Sequence, residues 1–354
     1  MKLVFKIVIM VSLCTFVQCA SQQPVFDETE WLAQVHATDS ALLYAPHVND
    51  KGAFFNPWLE RTRQSGRRSW FLSRLLGKKP QFDSYSPADY AHTPNDYAYL
   101  ADPNFDSISF AGHASIIIKM NSQTIFTDPF FSNAALVARK KVRIKFNFAN
   151  APAKPVVLIS HNHYDHLDKY SVKELIKKDA VFITPLGLKN LLTKWGAREV
   201  HELDWWESIS LGALNYTLLP SQHWSRRIGQ GGGTSLWGGF LIEGSKTIYF
   251  SGDSGYFIGF EEFGRRYTID YALLGAGAYE PRWFMHYSHM NVAEFFRAAC
   301  DVGAKTAIPM HFGVISLSDE PLLYPLYEID KYLKINPEYA ERVCPLRVGE
   351  YIKM

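Results

Sequence analysis

Within six residues, His161-Asn162-His163-Tyr164-Asp165-His166, the chain carries three imidazoles and one carboxylate. These are the nitrogen and oxygen donors that zinc and related divalent ions take. The group directly follows Pro155-Val156-Val157-Leu158-Ile159-Ser160, an apolar run that reads as a buried strand. Ligands commonly collect beyond the carboxyl ends of strands in α/β sheets. A turn there can aim His161 and His163 one way and Asp165 and His166 another, making two adjacent pockets. A single histidine at a strand end is usually a satisfied polar residue. Four donors at this spacing point to metal.

Two metal shells need two or three more donors from distant sequence. A strand running into a ligand type beside turn residues recurs three times: Leu218-Leu219-Pro220-Ser221-Gln222-His223, Ile248-Tyr249-Phe250-Ser251-Gly252-Asp253 and Ala307-Ile308-Pro309-Met310-His311. Alone, each reads as a polar cap on a strand. Beside the first cluster, each becomes a candidate ligand. Beyond the N-terminal region only Cys300 and Cys344 remain, so neither a disulfide framework nor a zinc ribbon is implied.

Donors this scattered need a scaffold. From Phe105 strands and helices alternate. Ser107 to Met120 and Gln123 to Asp128 read as the two arms of a hairpin. Further strands are expected over 180–184, 214–219, 238–243, 247–251, 271–274 and 306–310, with helices over 171–178, 186–195 and 291–302. The pattern predicts a layered α/β fold, with a mixed sheet or a pair of sheets between helices. With 354 residues, 47% hydrophobic and 20% charged, the chain can bury a large core. A net charge of +2 argues against a nucleic-acid binder.

The N-terminal third reads differently. Lys2 and Lys6 precede a short apolar run, Ile7 to Val17, as in a secretory signal over residues 1–19. Phe16-Val17-Gln18-Cys19 resembles a lipoprotein signal, though Gln18 and Phe16 depart from its pattern; ordinary cleavage near Cys19 or Ala20 competes with it. Residues 20–104 read as a proline-punctuated, loop-like extension ahead of the α/β domain over 105–354. Within the extension, Trp58 to Lys79 holds seven Lys or Arg against one Glu, beside Trp70, Phe71, Leu72, Leu75 and Leu76. Such a segment suits an anionic membrane surface; a solvated helix on its own domain is the alternative.

His161 to His166 matches the HxHxDH signature of the metallo-β-lactamase superfamily. His223, Asp253 and His311 fall in its order for the remaining ligands. A narrower set resembles N-acyl-phosphatidylethanolamine-hydrolysing phospholipase D and its bacterial relatives: Phe110 to Ser115, Thr127 to Ser132, Gln222-His223-Trp224, Gly252 to Tyr256, Pro281-Arg282-Trp283-Phe284-Met285 and Pro309 to Gly313. The resemblance implies a four-layer αβ/βα sandwich with two zinc ions at one edge. His161, His163 and His223 would hold one ion, Asp165, His166 and His311 the other, and Asp253 would bridge. Asp128 would orient a ligand histidine, or else mark a plain Asp-Pro turn; His113 would stand near the metals. Asp165 and His289 would be the catalytic residues, with His289 facing the substrate phosphate. Here Met290-Asn291 replaces the family's acidic neighbourhood. Two zincs about 3.5–4 Å apart could share a hydroxide and clamp a phosphoryl oxygen.

The implied activity is hydrolysis of a membrane phospholipid to phosphatidic acid and an N-acylethanolamine, in an exported protein of the bacterial cell envelope. A lactonase or other hydrolase of a small soluble ester shares the same ligands. A non-catalytic envelope lipoprotein would have no need of all seven. The run Gly231-Gly232-Gly233 and Ser235 form either a mobile loop near the site or a surface turn.

Overall fold

The computed structural model describes residues 25–59 and 80–354 apart from 103, 137, 143 and 145. The expected export signal with Cys19 and the basic run over 60–79 lie outside the described residues. Three strands open the main body: β1 (Ser107–Phe110), β2 (Ile116–Met120) and β3 (Gln123–Thr127). After a small ribbon of β4 (Ala134–Ala135) and β5 (Ala138–Arg139) come β6 (Val156–Leu158), β7 (Val181–Pro185) and β8 (Glu199–Leu203). Then follow β9 (Ser208–Leu211), β10 (Leu214–Leu219), β11 (Gly239–Glu243), β12 (Thr247–Phe250), β13 (Tyr271–Gly275), β14 (Thr306–Met310) and β15 (Tyr351–Lys353). The helices are α1 (Glu28–His36), α2 (Lys169–Ile176), α3 (Lys189–Trp195), α4 (Gly259–Arg266), α5 (Arg282–Met285), α6 (Val292–Asp301) and α7 (Tyr324–Ile335).

The strands form a seven-stranded sheet, β15-β1-β2-β3-β6-β7-β8, and a six-stranded sheet, β14-β13-β12-β11-β10-β9. Strict alternation sorts the side chains of the first sheet. Ile116, Ile118, Val156, Leu158 and Ile183 enter the large core shared with the second sheet. Their neighbours Ile117, Val157 and Phe182 enter a separate core with Val172 and Leu175 of α2 and Leu192 of α3. In the second sheet, register places Leu218, Phe240, Phe250 and Leu273 in one row. Tyr249 points the other way, its ring 5.4 Å from Phe263 of α4. Helix, sheet, sheet and helix therefore stack as the expected αβ/βα sandwich.

The strands that lead into the site share a direction within each sheet. β1 and β3 each run antiparallel to β2, and β3 runs parallel to β6. In the other sheet β10 and β12 each run antiparallel to β11, and β12, β13 and β14 are parallel. Their carboxyl ends thus gather at one edge of the sandwich. The two sheets are laced together there: His113 N donates to Phe312 O at 2.9 Å, and His311 N donates to His113 O at 2.8 Å.

Two expectations need correction. Ser107 to Met120 is not one hairpin arm but two strands, because Gly112 (φ +100°) and His113 (φ +58°) turn the chain through left-handed geometry. Residues 20–104 are not wholly loop-like. Asp27 caps α1, and Trp31 and Val35, four apart, bury one helical face. Trp31, Val35, Leu43 and Trp58 join the main core. The stretch with Gly231 to Gly233 is a surface turn, one of the two forms expected for it, and it is tied down at several points described below. Among the described residues no helix is long and apolar enough to cross a membrane.

Candidate metal centre

Ser160, at the end of the β6 segment, starts the construction. Its N–H and hydroxyl donate to Asp128 Oδ1 at 2.7 Å and Oδ2 at 2.5 Å. Since the hydroxyl proton goes to Asp128, Ser160 Oγ accepts from His161 Nδ1 at 2.9 Å. Asp128 Oδ2 also accepts from His166 Nδ1 at 2.7 Å. Backbone carbonyls take the Nδ1 protons of two more rings: Ser288 O for His223 at 3.2 Å and Gly277 O for His311 at 3.3 Å. Four imidazoles therefore have their Nδ1 protons fixed outward and Nε2 turned inward. His163 is reversed, with Nδ1 inward and Nε2 lacking a hydrogen-bond partner.

The inward atoms form two groups. In one, His163 Nδ1 lies 2.7 Å from His161 Nε2 and 3.2 Å from His223 Nε2. In the other, His166 Nε2 lies 3.3 Å from His311 Nε2 and 3.4 Å from Asp165 Oδ2. Asp253 faces both. Its carboxylate oxygens are 3.1 Å from His166 Nε2, 3.0 Å from His311 Nε2, 3.8 Å from His223 Nε2 and 3.9 Å from His161 Nε2. Gly252 (φ +57°) allows this approach; a Cβ there would meet Ser160 Cβ at 2.6 Å.

These donors fit metal ions. Facing lone pairs repel unless a cation lies between them. A tetrahedral ion with bonds near 2.0 Å spaces its ligand atoms about 3.3 Å apart, close to the separations seen. Asp253 Oδ1 is buried 3.0 Å from His311 Nε2, without a well-aligned hydrogen bond among the described residues. That is the geometry of a carboxylate aimed at a shared third point.

The protonation pattern agrees. Burial pushes His161 and His223 well below the ordinary imidazole range and His163 down to about 4, leaving neutral donors. Burial disfavours ionised Asp165 and Asp253, yet the adjacent histidines outweigh it and hold both carboxyls well below their usual range. His166 goes the other way. Burial lowers it, but Asp253, Asp165 and Asp128 together raise it well above an ordinary histidine.

All seven candidate ligands thus converge. A model of the beta-lactamase superfamily domain matches residues 123–312, more than half of the chain. The chain belongs to the metallo-β-lactamase superfamily. It is a metal-dependent hydrolase of that group. An uncharacterised protein of Mycobacterium tuberculosis is 31% identical over 261 residues, covering 70% of this chain and 69% of that one. The mitochondrial N-acyl-phosphatidylethanolamine-hydrolyzing phospholipase D of Saccharomyces cerevisiae is 32% identical over 226 residues, 59% of this chain and 48% of that one. Among solved structures, a possible metal-dependent hydrolase from Veillonella parvula aligns with a TM-score of 0.59 at 16% identity, over 71% of this chain and all of that one.

Around the superfamily's ligands stand residues that sequence reasoning placed loosely or missed. His113 hydrogen-bonds Asp165 Oδ2 through Nε2 at 2.8 Å, so it orients that carboxylate. His289 brings Nδ1 to 3.9 Å from Asp253 and keeps part of its surface open. Arg282 holds it there, donating to His289 O at 3.1 Å and to buried Glu294 at 2.7 Å. Glu294 also accepts from Asn291 N at 3.0 Å in the capping box that starts α6. Glu294 thus acts on His289 only through Arg282. Asn56 Nδ2 donates to His223 O at 2.9 Å, and Trp58 Nε1 donates to Gln222 Oε1 at 3.1 Å. The Asn-Pro-Trp sequence gave no signal of that contact, because it lies more than 160 residues from its partners.

Proposed function

We propose that the chain is a zinc-dependent phosphodiesterase acting on phospholipids like N-acyl-phosphatidylethanolamine, with phosphatidic acid and an N-acylethanolamine as products. The observation that carries this reading is Asp253, set between two groups of inward-facing donors. His161, His163 and His223 would hold one zinc; Asp165, His166 and His311 would hold the other; Asp253 would serve both. When bound, such a pair supplies charge neutralisation and an activated water. A phosphodiester is anionic, so neutralising its charge is the main requirement. The substrate class is drawn from the motif resemblance and from the activity named for the yeast relative.

The chain's own residues do the rest. Asp128, Ser160, Ser288 O and Gly277 O fix the imidazole tautomers. His113 fixes Asp165. His289, beside Asp253 and partly open, can meet an oxygen of the substrate. Trp224 packs its ring 4.3 Å from His163 and forms an apolar wall beside it. We place the protein in the cell envelope, where the basic, aromatic run over 60–79 would meet anionic lipid.

The test is an assay of purified, metal-analysed protein on a panel of phospholipids and lactones, with products identified by mass. Phosphatidic acid plus N-acylethanolamine should form, stop on chelation and return on adding zinc. Turnover of lactones with every phospholipid left intact would replace this reading with hydrolysis of a small soluble ester.

A further inference from the structure

Arg227 lies four residues after His223, on the loop between β10 and β11, and is only 8% exposed. Its Nη1 donates to two carbonyls, Asn162 O at 3.0 Å and Leu167 O at 2.9 Å. Those carbonyls bracket His163, Asp165 and His166. The guanidinium also lies over Tyr164, 4.0 Å from the ring centroid, and 5.3 Å from the centroid of Trp195 on α3. Tyr164 is the middle residue of the ligand loop. One side chain therefore touches that loop near its start, middle and end.

The loop that carries Arg227 is itself anchored. Gln230 N donates to Arg227 O at 2.9 Å, and Gln230 Oε1 accepts from Asn162 Nδ2 at 3.0 Å. Gly233 N donates to Ser225 O at 3.0 Å, and Phe54 N donates to Gly233 O at 2.8 Å. Ser225 Oγ donates to Ser235 O at 2.5 Å. The glycine-rich stretch is thus a strap across the ligand loop.

Burying a guanidinium against neutral partners costs free energy. Anchoring a turn that must hold three donors in place is a function that offsets this cost. We propose that Arg227 is a positioning residue for the metal centre, setting the spacing of His163, Asp165 and His166 without contacting the ions. The guanidinium serves both carbonyls from one nitrogen while its plane stacks on Tyr164; a lysine ammonium could serve the carbonyls but has no plane to stack. The inference rests on reading the site as a metal centre.

The experiment compares wild type, R227M and R227K. Zinc affinity is measured by chelator competition, the absorption spectrum is recorded with cobalt in place of zinc, and the metal-free proteins are melted. R227M should bind metal roughly 10–100-fold more weakly, the range for residues that orient ligands, with a shifted cobalt spectrum. R227K should fall between R227M and wild type. Affinity and spectrum unchanged in R227M would overturn the proposal. So would a lower melting temperature with affinity unchanged, since Arg227 would then be only a structural prop. If R227M does not fold, R227K decides, and wild-type affinity there overturns the proposal. Wild type that takes up no divalent metal would instead overturn the metal reading itself, and this inference with it.

Discussion

On one side of Asp253, His161, His163 and His223 are oriented by neutral groups: the Ser160 hydroxyl and the Ser288 carbonyl, with His163 Nε2 left without a partner. On the other side, carboxylates take part directly. Asp128 holds His166, and His113 holds Asp165. Charge-assisted bonds are the stronger kind and fix geometry more firmly. The first group is a set of neutral imidazoles; in the second, Asp128 and Asp165 flank His166, while His311 is held by the Gly277 carbonyl. On the proposed two-ion reading, the second group should hold its ion more tightly and the first should lose its ion first. Asp253 belongs to both, so its loss should not respect the division.

The largest effect is expected there. D253A should abolish hydrolysis and reduce metal content at both groups, measured by elemental analysis beside the assay. Loss of one ion with the other retained at full occupancy would show that the groups do not share this carboxylate.

The next effect separates the sides. D128N keeps an acceptor for His166 Nδ1 but turns its amide nitrogen against the Ser160 N–H. Metal affinity should fall about 10–100-fold, chiefly in the His166 group, with the His161 group affected less and only through Ser160. Equal weakening of both ions in a two-step chelator titration would erase the contrast.

A smaller effect appears with pH in the metal-free protein. His163 falls to about 4, and His113 and His289 to about 3, all by burial first. Below the ordinary histidine value near 6.5, the unfolded chain takes up protons that these folded rings refuse. Stability is thus full above pH 6.5 and falls as pH drops towards 4 and 3. Each such ring contributes about 1.4 kcal/mol per pH unit. His166 opposes this: raised in the fold, its contribution is full below 6.5 and fades as pH rises through its folded value. Asp128, Glu280, Glu294, Asp301, Glu320 and Glu328, all raised by burial, oppose it as well, so the test is a difference: the urea midpoint of wild type should fall more between pH 6.5 and 4 than that of H163Q. A gap between the two that stays constant over that interval would contradict the assignment of a neutral His163.

The same contrast explains what could be read from sequence. The candidate ligands that converge were legible because strand ends carry them: contiguous donors after Val156 to Ser160, and single donors after three other apolar runs. The sandwich was legible because Ile116 to Ile118 and Val156 to Leu158 are buried on both faces. The residues that orient the ligands were harder to read. Ser160 reads as the last residue of a strand, and its role depends on Asp128, which is 32 residues away. Arg227 lies in a polar, glycine-rich loop with no periodicity, and its contacts are to backbone carbonyls that leave no mark in sequence. The turn at Gly112-His113 was hidden inside a run with strand character on both sides. Helix α1 was masked by the prolines around it.

The central claim is that one chain holds two ions on either side of Asp253. Native mass spectrometry during stepwise chelation counts them directly. The account predicts a two-metal species that passes through a one-metal species before reaching the metal-free chain, with D128N removing the intermediate or shortening its range. A fully active wild type that never carries more than one ion would contradict it.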